Sequence, residues 1–127
     1  MIHLTLNQII EKLRTVDPDV VVRNGFHNPH SYRGYYDRLC FEPTEFISVR
    51  DMLAEAEEAK GNTYTGWKGG EYTMNGWTLV HLNFEGQSGG IWNKKTDQIE
   101  DADAITDKSL DAMLEDQLST VDKLLYT

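Results

Sequence analysis

Cysteine is nearly absent from this sequence. Cys40 stands alone, so no disulfide can form within the chain, and a thiol between Leu39 and Phe41 reads as a small core residue rather than a nucleophile. No stretch approaches the roughly 18 apolar residues of a membrane helix, and Met1-Ile2-His3-Leu4-Thr5 lacks the basic and apolar regions of a secretory leader. The expected setting is a reducing cytoplasm with no membrane partner. Basic residues are scarce too, 12 Lys and Arg against 21 Asp and Glu, for a formal charge of −9. A protein that tracks long nucleic acid must neutralise many phosphates, so that class is excluded while a small anion in a local pocket is not. No internal repeat, low-complexity tract or interdomain linker is evident. What is present, 127 residues with 39% hydrophobic content, is enough to bury one core, and one domain over residues 1–127 is the expectation.

The patterning predicts helix, strands, helix, strands, helix. Thr5 and Gln8 form a capping box ahead of Leu6, Ile9, Ile10 and Leu13, which share one helical face, so a first helix is expected from Thr5 to Thr15. Val20-Val21-Val22 reads as a strand closing at Asn24-Gly25, followed by a polar loop. Residues 36–41 read as a second strand stopped by Pro43. Ser48 with Asp51 caps a second helix carrying Val49, Met52, Leu53 and Ala56, and Gly61 sits at its C-terminal cap. From Thr63 onward glycines punctuate strand and turn. Val80, Leu82 and Phe84 face one side of the clearest strand, with Leu79, His81 and Asn83 on the other. An edge strand is expected near Ile91-Trp92, then a solvated acidic connection over residues 93–107. Its Asp97, Glu100, Asp101 and Asp103 match no calcium-loop spacing. Ser109 is expected to cap a last helix whose stripe of Leu110, Met113, Leu114, Leu118, Val121, Leu124 and Leu125 must be covered by this sheet or by a partner. This order favours an α+β domain with an antiparallel β-sheet and N-terminal, middle and C-terminal helices.

The candidate chemistry concentrates between Arg23 and Arg38. That stretch holds three basic residues, one acid, His27, His30 and the aromatics Phe26, Tyr32, Tyr35 and Tyr36; it is +2, leaving −11 on the rest. Arg offers a planar fork of donors to phosphate oxygens, and the rings offer flat faces to a base. The bland alternative makes the tyrosines half-core strand residues, pairs Arg33 with a surface acid and leaves His30 capping a turn. A second glycine-rich run, Gly66-Trp67-Lys68-Gly69-Gly70, supplies backbone amides and a lysine, without the Gly-Lys-Ser/Thr ending of a P-loop. A turn with Trp67 and Trp77 packed on the sheet is its bland reading. The four histidines form no zinc-ligand spacing, and Pro29 keeps His27 and His30 off one helical face. No Gly-x-Ser-x-Gly is present.

The run Asn28-Pro29-His30-Ser31-Tyr32-Arg33-Gly34-Tyr35-Tyr36, then Phe41-Glu42-Pro43 and later Thr65-Gly66-Trp67-Lys68-Gly69-Gly70-Glu71-Tyr72-Thr73-Met74, resembles small phage-encoded proteins, and among them most the Thoeris anti-defence sponge proteins. The likeness covers roughly residues 5–90. It implies a protein in the cytoplasm of an infected bacterium that sequesters a cyclic ADP-ribose isomer, and cyclic oligonucleotides at a second site, without cleaving them. It also implies a homo-oligomer, a dimer or an assembly of dimers. The family's pocket residues do not align with this chain one by one, so the site residues follow from their chemistry. Arg33 is expected as the main phosphate contact, supported by Arg23, Arg38, Lys68 and the backbone of Gly69 and Gly70. Tyr32, Tyr35, Trp67 and Phe84 are the stacking candidates, and His30 and Asn83 the hydrogen-bonding ones. No cofactor, metal or catalytic residue is expected. The rival readings are a nucleotide phosphodiesterase using His30 and an acidic adaptor that blocks a host protein.

Overall fold

The computed structural model describes residues 3–32, 36–66, 68–83, 90–93, 98–101 and 103–118, with backbone alone for 90–93 and 98–101. Thr5 caps helix α1 (Leu6–Arg14) as the sequence predicts: its hydroxyl accepts from the Gln8 amide, and the Gln8 side chain accepts from the Thr5 amide at 2.9 Å. The next two orphan amides of the helix go elsewhere, Leu6 N–H to the Thr78 carbonyl and Asn7 N–H to the Gly76 carbonyl, each at 2.9 Å. The N-terminus of α1 is thereby fastened to the 76–78 turn. Leu6, Ile9, Ile10 and Leu13 are buried on the inward face.

Strands β1 (Val21–Ser31) and β2 (Leu39–Ser48) form a long antiparallel pair, and β5 (Val80–Leu82) lies on the far side of β2 in parallel register, Cys40 opposite His81. The fold is α+β, with a mixed sheet ordered β1-β2-β5 rather than a wholly antiparallel one. Helix α2 (Val49–Ala59) packs on β1 and α1. Ser48 caps it, accepting from the Asp51 amide at 3.1 Å, and Gly61 follows its end at φ +89°. Strands β3 (Thr63–Thr65) and β4 (Glu71–Thr73) form one hairpin, β6 (Gly90–Asn93) and β7 (Gln98–Asp101) another, and α3 (Asp107–Glu115) follows. The core joins Phe26 and Phe41, whose ring centroids are 4.4 Å apart, with the inward faces of α1 and α2, Met74, Val80, Ile105, Leu110 and Leu114.

Five expectations are corrected. Asn24-Gly25 does not end a strand. A Cβ at Gly25 would stand 2.3 Å from Ile47 Cγ2 and 2.8 Å from Met52 Sδ, so glycine is there to let β1 pack tightly. The supposed polar loop is the rest of β1, bent by an irregularity between His27 and His30 where Asn28 takes φ 51°. Pro43 does not stop β2, because past Phe41 that strand pairs, among the described residues, with β1 on one side only, and an edge tolerates a residue without an N–H. The acidic connection after Asn93 is not simply solvated: it holds β7 and the buried Ile105. Finally, Thr106 rather than Ser109 caps α3; Ser109 is its reciprocal partner. That helix ends at Glu115, and the chain then runs beside β1, with the Leu118 amide on the Val21 carbonyl at 2.8 Å. Leu110, Leu114 and Leu118 are buried within this chain, so the stripe is covered to that point without a partner. Val121, Leu124 and Leu125 lie outside the described residues.

The Gly25 contacts give a direct test. Gly25→Ala should lower stability by about 1–3 kcal/mol, the usual cost of overpacking. It should appear as a lower urea midpoint at unchanged m-value. An unchanged midpoint would mean that Ile47 and Met52 yield freely.

Candidate functional site

The two sequence motifs meet at one end of the sheet. Tyr32 N–H donates to the Arg38 carbonyl at 2.9 Å, closing the connection between β1 and β2, and the Leu39 amide bonds the Leu79 carbonyl at 3.0 Å. Tyr36 packs near the Tyr72 ring, centroids 5.8 Å apart, and a Cβ at Gly66 would lie 3.2 Å from Tyr36 and 3.1 Å from Tyr72. The aromatic connection is thus pressed onto the β3–β4 hairpin. Between them opens a cleft of about 390 Å³ lined by Asp37, Arg38, Thr73, Asn75, Trp77, Thr78 and Leu79.

Trp77 is the unusual member of this lining, a large apolar side chain that is 80% exposed. The turn holding it is tightly specified. Trp77 N–H donates to Asn75 Oδ1 at 2.8 Å, the Asn75 amide donates to Thr78 Oγ1 at 3.0 Å, and the Thr78 amide returns to the Asn75 carbonyl at 3.1 Å. A Cβ at Gly76 would stand 2.1 Å from the Asn7 side-chain amide, so any larger residue there requires that side chain to move. The same turn receives the orphan amides of α1, so the indole is presented by a rigid mount.

Behind Arg38 lies a buried polar cluster. Asp103 accepts from Tyr32 Oη at 3.0 Å to each carboxylate oxygen, from His81 Nδ1 at 3.1 Å and from Asn83 Nδ2 at 3.1 Å. The Tyr32 ring lies flat on His81, centroids 3.8 Å apart at 5°, and His3 meets the same imidazole edge-on at 4.6 Å. His3 Nε2 itself donates to the Val80 carbonyl at 2.7 Å. His81 and Tyr32 are wholly buried. On the side away from Asp103 the imidazole Nε2 stands 3.5 Å from Arg38 Nη1, a long hydrogen bond.

An Asp–His pair is the usual core of a general base, but a base must reach the proton it takes. Here both the ring face and the edge of His81 are occupied and the residue has no exposed surface. Cys40 offers no nucleophile either. Burial, and then the charges of Asp103 and Glu42, push its thiol up from 9.0 to about 12, against an opposing backbone hydrogen bond with Asn83. Among the described residues, no group of three or more His, Cys, Asp or Glu is arranged to hold a metal ion.

Several expected site residues are placed elsewhere. Tyr32 cannot stack on a ligand, because its face is taken by His81 and it has no exposed surface. The Asn83 amide is engaged by Asp103. Arg23 pairs with Asp116 at 3.5 Å and sits eight residues along β1 from Ser31, roughly 25 Å at strand rise. His30 Nδ1 bonds the Asn28 carbonyl at 3.0 Å, and its Nε2 has no partner among the described residues. Lys68, Gly69 and Gly70 form the exposed β3–β4 loop, but the Gly69 amide closes that loop onto the Gly66 carbonyl at 2.9 Å. Arg33, Tyr35, Trp67 and Phe84 lie outside the described residues. Among the described residues, Arg38 is the expected one that lines the cleft. The sequence reading missed Trp77 and the group of His81, Asp103 and His3 behind it. Leu79, His81 and Asn83 alternating away from Val80 hinted at a polar interior face, while Asp103 carried no local signal.

Comparison with known proteins finds no matching family model, no curated protein and no solved structure that matches this chain. No helix among the described residues is long and apolar enough to cross a membrane.

Asp103→Ala should strand the Tyr32 hydroxyl, the His81 N–H and the Asn83 amide together. The expected loss is on the order of 3 kcal/mol or more, at roughly 1–3 kcal/mol for each orphaned buried donor without strict additivity. Calorimetry measures it, and a wild-type melting curve would show the cluster to be incidental. For Cys40 the folded pKa lies above the unfolded one, so its contribution to stability is present below the unfolded value and is lost as pH rises from about 9.0 towards 12. Wild type should therefore lose melting temperature over that window more steeply than Cys40→Ala, and native protein at pH 8 should resist iodoacetamide until unfolded. Rapid native alkylation would contradict the burial.

Proposed function

We propose that this protein binds a small anionic, base-bearing ligand of the nucleotide class in the cleft between Arg38 and Trp77 and holds it without chemical change. The observation that carries the reading is the pairing of a half-buried guanidinium with an 80% exposed indole across one cleft of about 390 Å³. That volume lies in the range of small-molecule sites. A guanidinium satisfies phosphate oxygens through its fork of donors, and an indole offers the best stacking and cation-attracting face of any side chain. Thr73, Asn75 and Thr78 supply hydroxyl and amide groups in the same lining. Sequestration is favoured over turnover by the sealed His81 and the un-ionised Cys40 thiol. The resemblance of the 28–36 and 65–74 segments to sponge proteins points to a cyclic ADP-ribose isomer as the first ligand to try.

The test uses purified protein in excess over a cyclic ADP-ribose isomer. Free ligand should be depleted, with quenching of indole fluorescence, and heating past unfolding should return it intact by mass spectrometry. Arg38→Ala should weaken binding roughly ten- to a hundred-fold, as the loss of a charge-assisted contact of about 1.5–3 kcal/mol requires. Trp77→Ala should weaken it by roughly ten-fold with little change in melting temperature, because the indole contributes little to the core. A hydrolysed or linearised product overturns sequestration. Failure to deplete any nucleotide overturns the ligand class and favours the acidic adaptor that blocks a host protein.

A further inference from the structure

We propose that His81 is a positioning residue for the cleft: as the neutral Nδ1–H tautomer it presents the lone pair of Nε2 to the Arg38 guanidinium and sets where that cation stands. The functional half of this proposal rests on reading the cleft as an anion site; the tautomer stands apart from it.

Donor and acceptor chemistry fixes the tautomer. The ionised carboxylate of Asp103 can only accept, so the His81 nitrogen 3.1 Å away must carry hydrogen. A guanidinium can only donate, so the opposite nitrogen, 3.5 Å from Arg38 Nη1, must carry the lone pair. A doubly protonated ring would set a second N–H against a cation. Nor can the ring turn over to exchange its nitrogens, with Tyr32 flat against it and His3 on its edge. Asp103 is itself held by Tyr32 and Asn83. The Arg38 carbonyl is fastened to the Tyr32 amide at 2.9 Å, so the freedom left to the guanidinium lies in its own flexible stem. A buried, directional acceptor at the base of the cleft restricts that stem and lowers the ordering cost of binding an anion.

Two substitutions separate positioning from mere support. In His81→Gln the amide oxygen falls near the former Nε2 and can still accept from Arg38. In His81→Asn the amide nitrogen falls near the former Nδ1 and can still donate to Asp103, while the acceptor that His81 Nε2 offered to Arg38 is lost. Both lose the stacked ring, so a purely structural role would move them together. Affinity for the cyclic ADP-ribose isomer should fall about ten-fold in His81→Asn and stay within about three-fold of wild type in His81→Gln. In ligand-free protein, ¹⁵N NMR should show one histidine with a protonated Nδ1 and a bare Nε2, and an Arg38 guanidinium that rotates faster in His81→Asn than in wild type or His81→Gln. An Nε2–H or doubly protonated ring overturns the proposal, as does equal behaviour of the two variants. Should wild type bind no nucleotide, the ligand reading fails by itself, and the Arg38 signal still decides whether His81 positions it.

Discussion

A single carboxylate, Asp103, organises the functional end of this molecule. It reaches inward from the connection ahead of α3 and accepts from a phenol past the end of β1 and from an imidazole and an amide on and beside β5. Burying a carboxylate is costly unless its oxygens are met by donors, and removing one partner of a completed set is costlier than never building it. Once Asp103 is in place, Tyr32, His81 and Asn83 each have one satisfactory position. The ends of β1 and β5 are thereby locked together across β2 by polar contacts rather than by apolar packing.

That lock explains an otherwise puzzling allocation of residues. Tyr32 and His81 have the chemistry of ligand contacts, yet both are wholly buried. Trp77 has the chemistry of a core residue, yet it is 80% exposed. Exchanging those expectations gives a cleft whose visible members are few and whose supports are many. Leaving roughly 150 Å² of indole in water forgoes about 4 kcal/mol at 25 cal/mol per Å². A single exposed aromatic is unremarkable by itself, but this one is mounted on a turn that shares three hydrogen bonds internally and two with α1. Such rigidity is of use to something that must be met face to face.

What could be read from the sequence followed from local rules. The capping box at Thr5, the 3.6-residue stripe of α1, the cap at Ser48 and the hairpin after Thr63 all depend on neighbours within a few positions, and the α+β class followed from their order. The misses were made by distant partners. Gly25 and Pro43 look like strand ends until β1 and β2 are known to pair, after which one is a close approach and the other an edge residue. Arg38 could be picked out by charge and by its place in a basic stretch. Tyr32 was misjudged because its partner lies 71 residues away, and Trp77 because its exposure depends on α1 occupying the other side of its turn. Side-chain type located the right region of the chain but not which of its residues face solvent.

The overall charge adds a constraint on how any anion could be captured. At −9, the molecule's net field opposes anions within a Debye length of about 8 Å at physiological ionic strength and is screened beyond it, so long-range attraction cannot supply the affinity. Capture must depend on short-range terms: a guanidinium already oriented, a flat ring already exposed, and amide and hydroxyl groups already placed. Salt would then act in two opposing ways, easing approach by screening the protein's field while weakening the contact with Arg38. A flexible lysine in solvent would lose to that field, since its charge is screened and its stem must be ordered at the moment of binding. An arginine fixed from behind by a neutral imidazole carries less of that ordering cost. On the proposed reading the buried cluster and the acidic surface are two sides of one design problem, because a protein of this charge that took up an anion could not attract it from afar and would have to be ready for it on arrival.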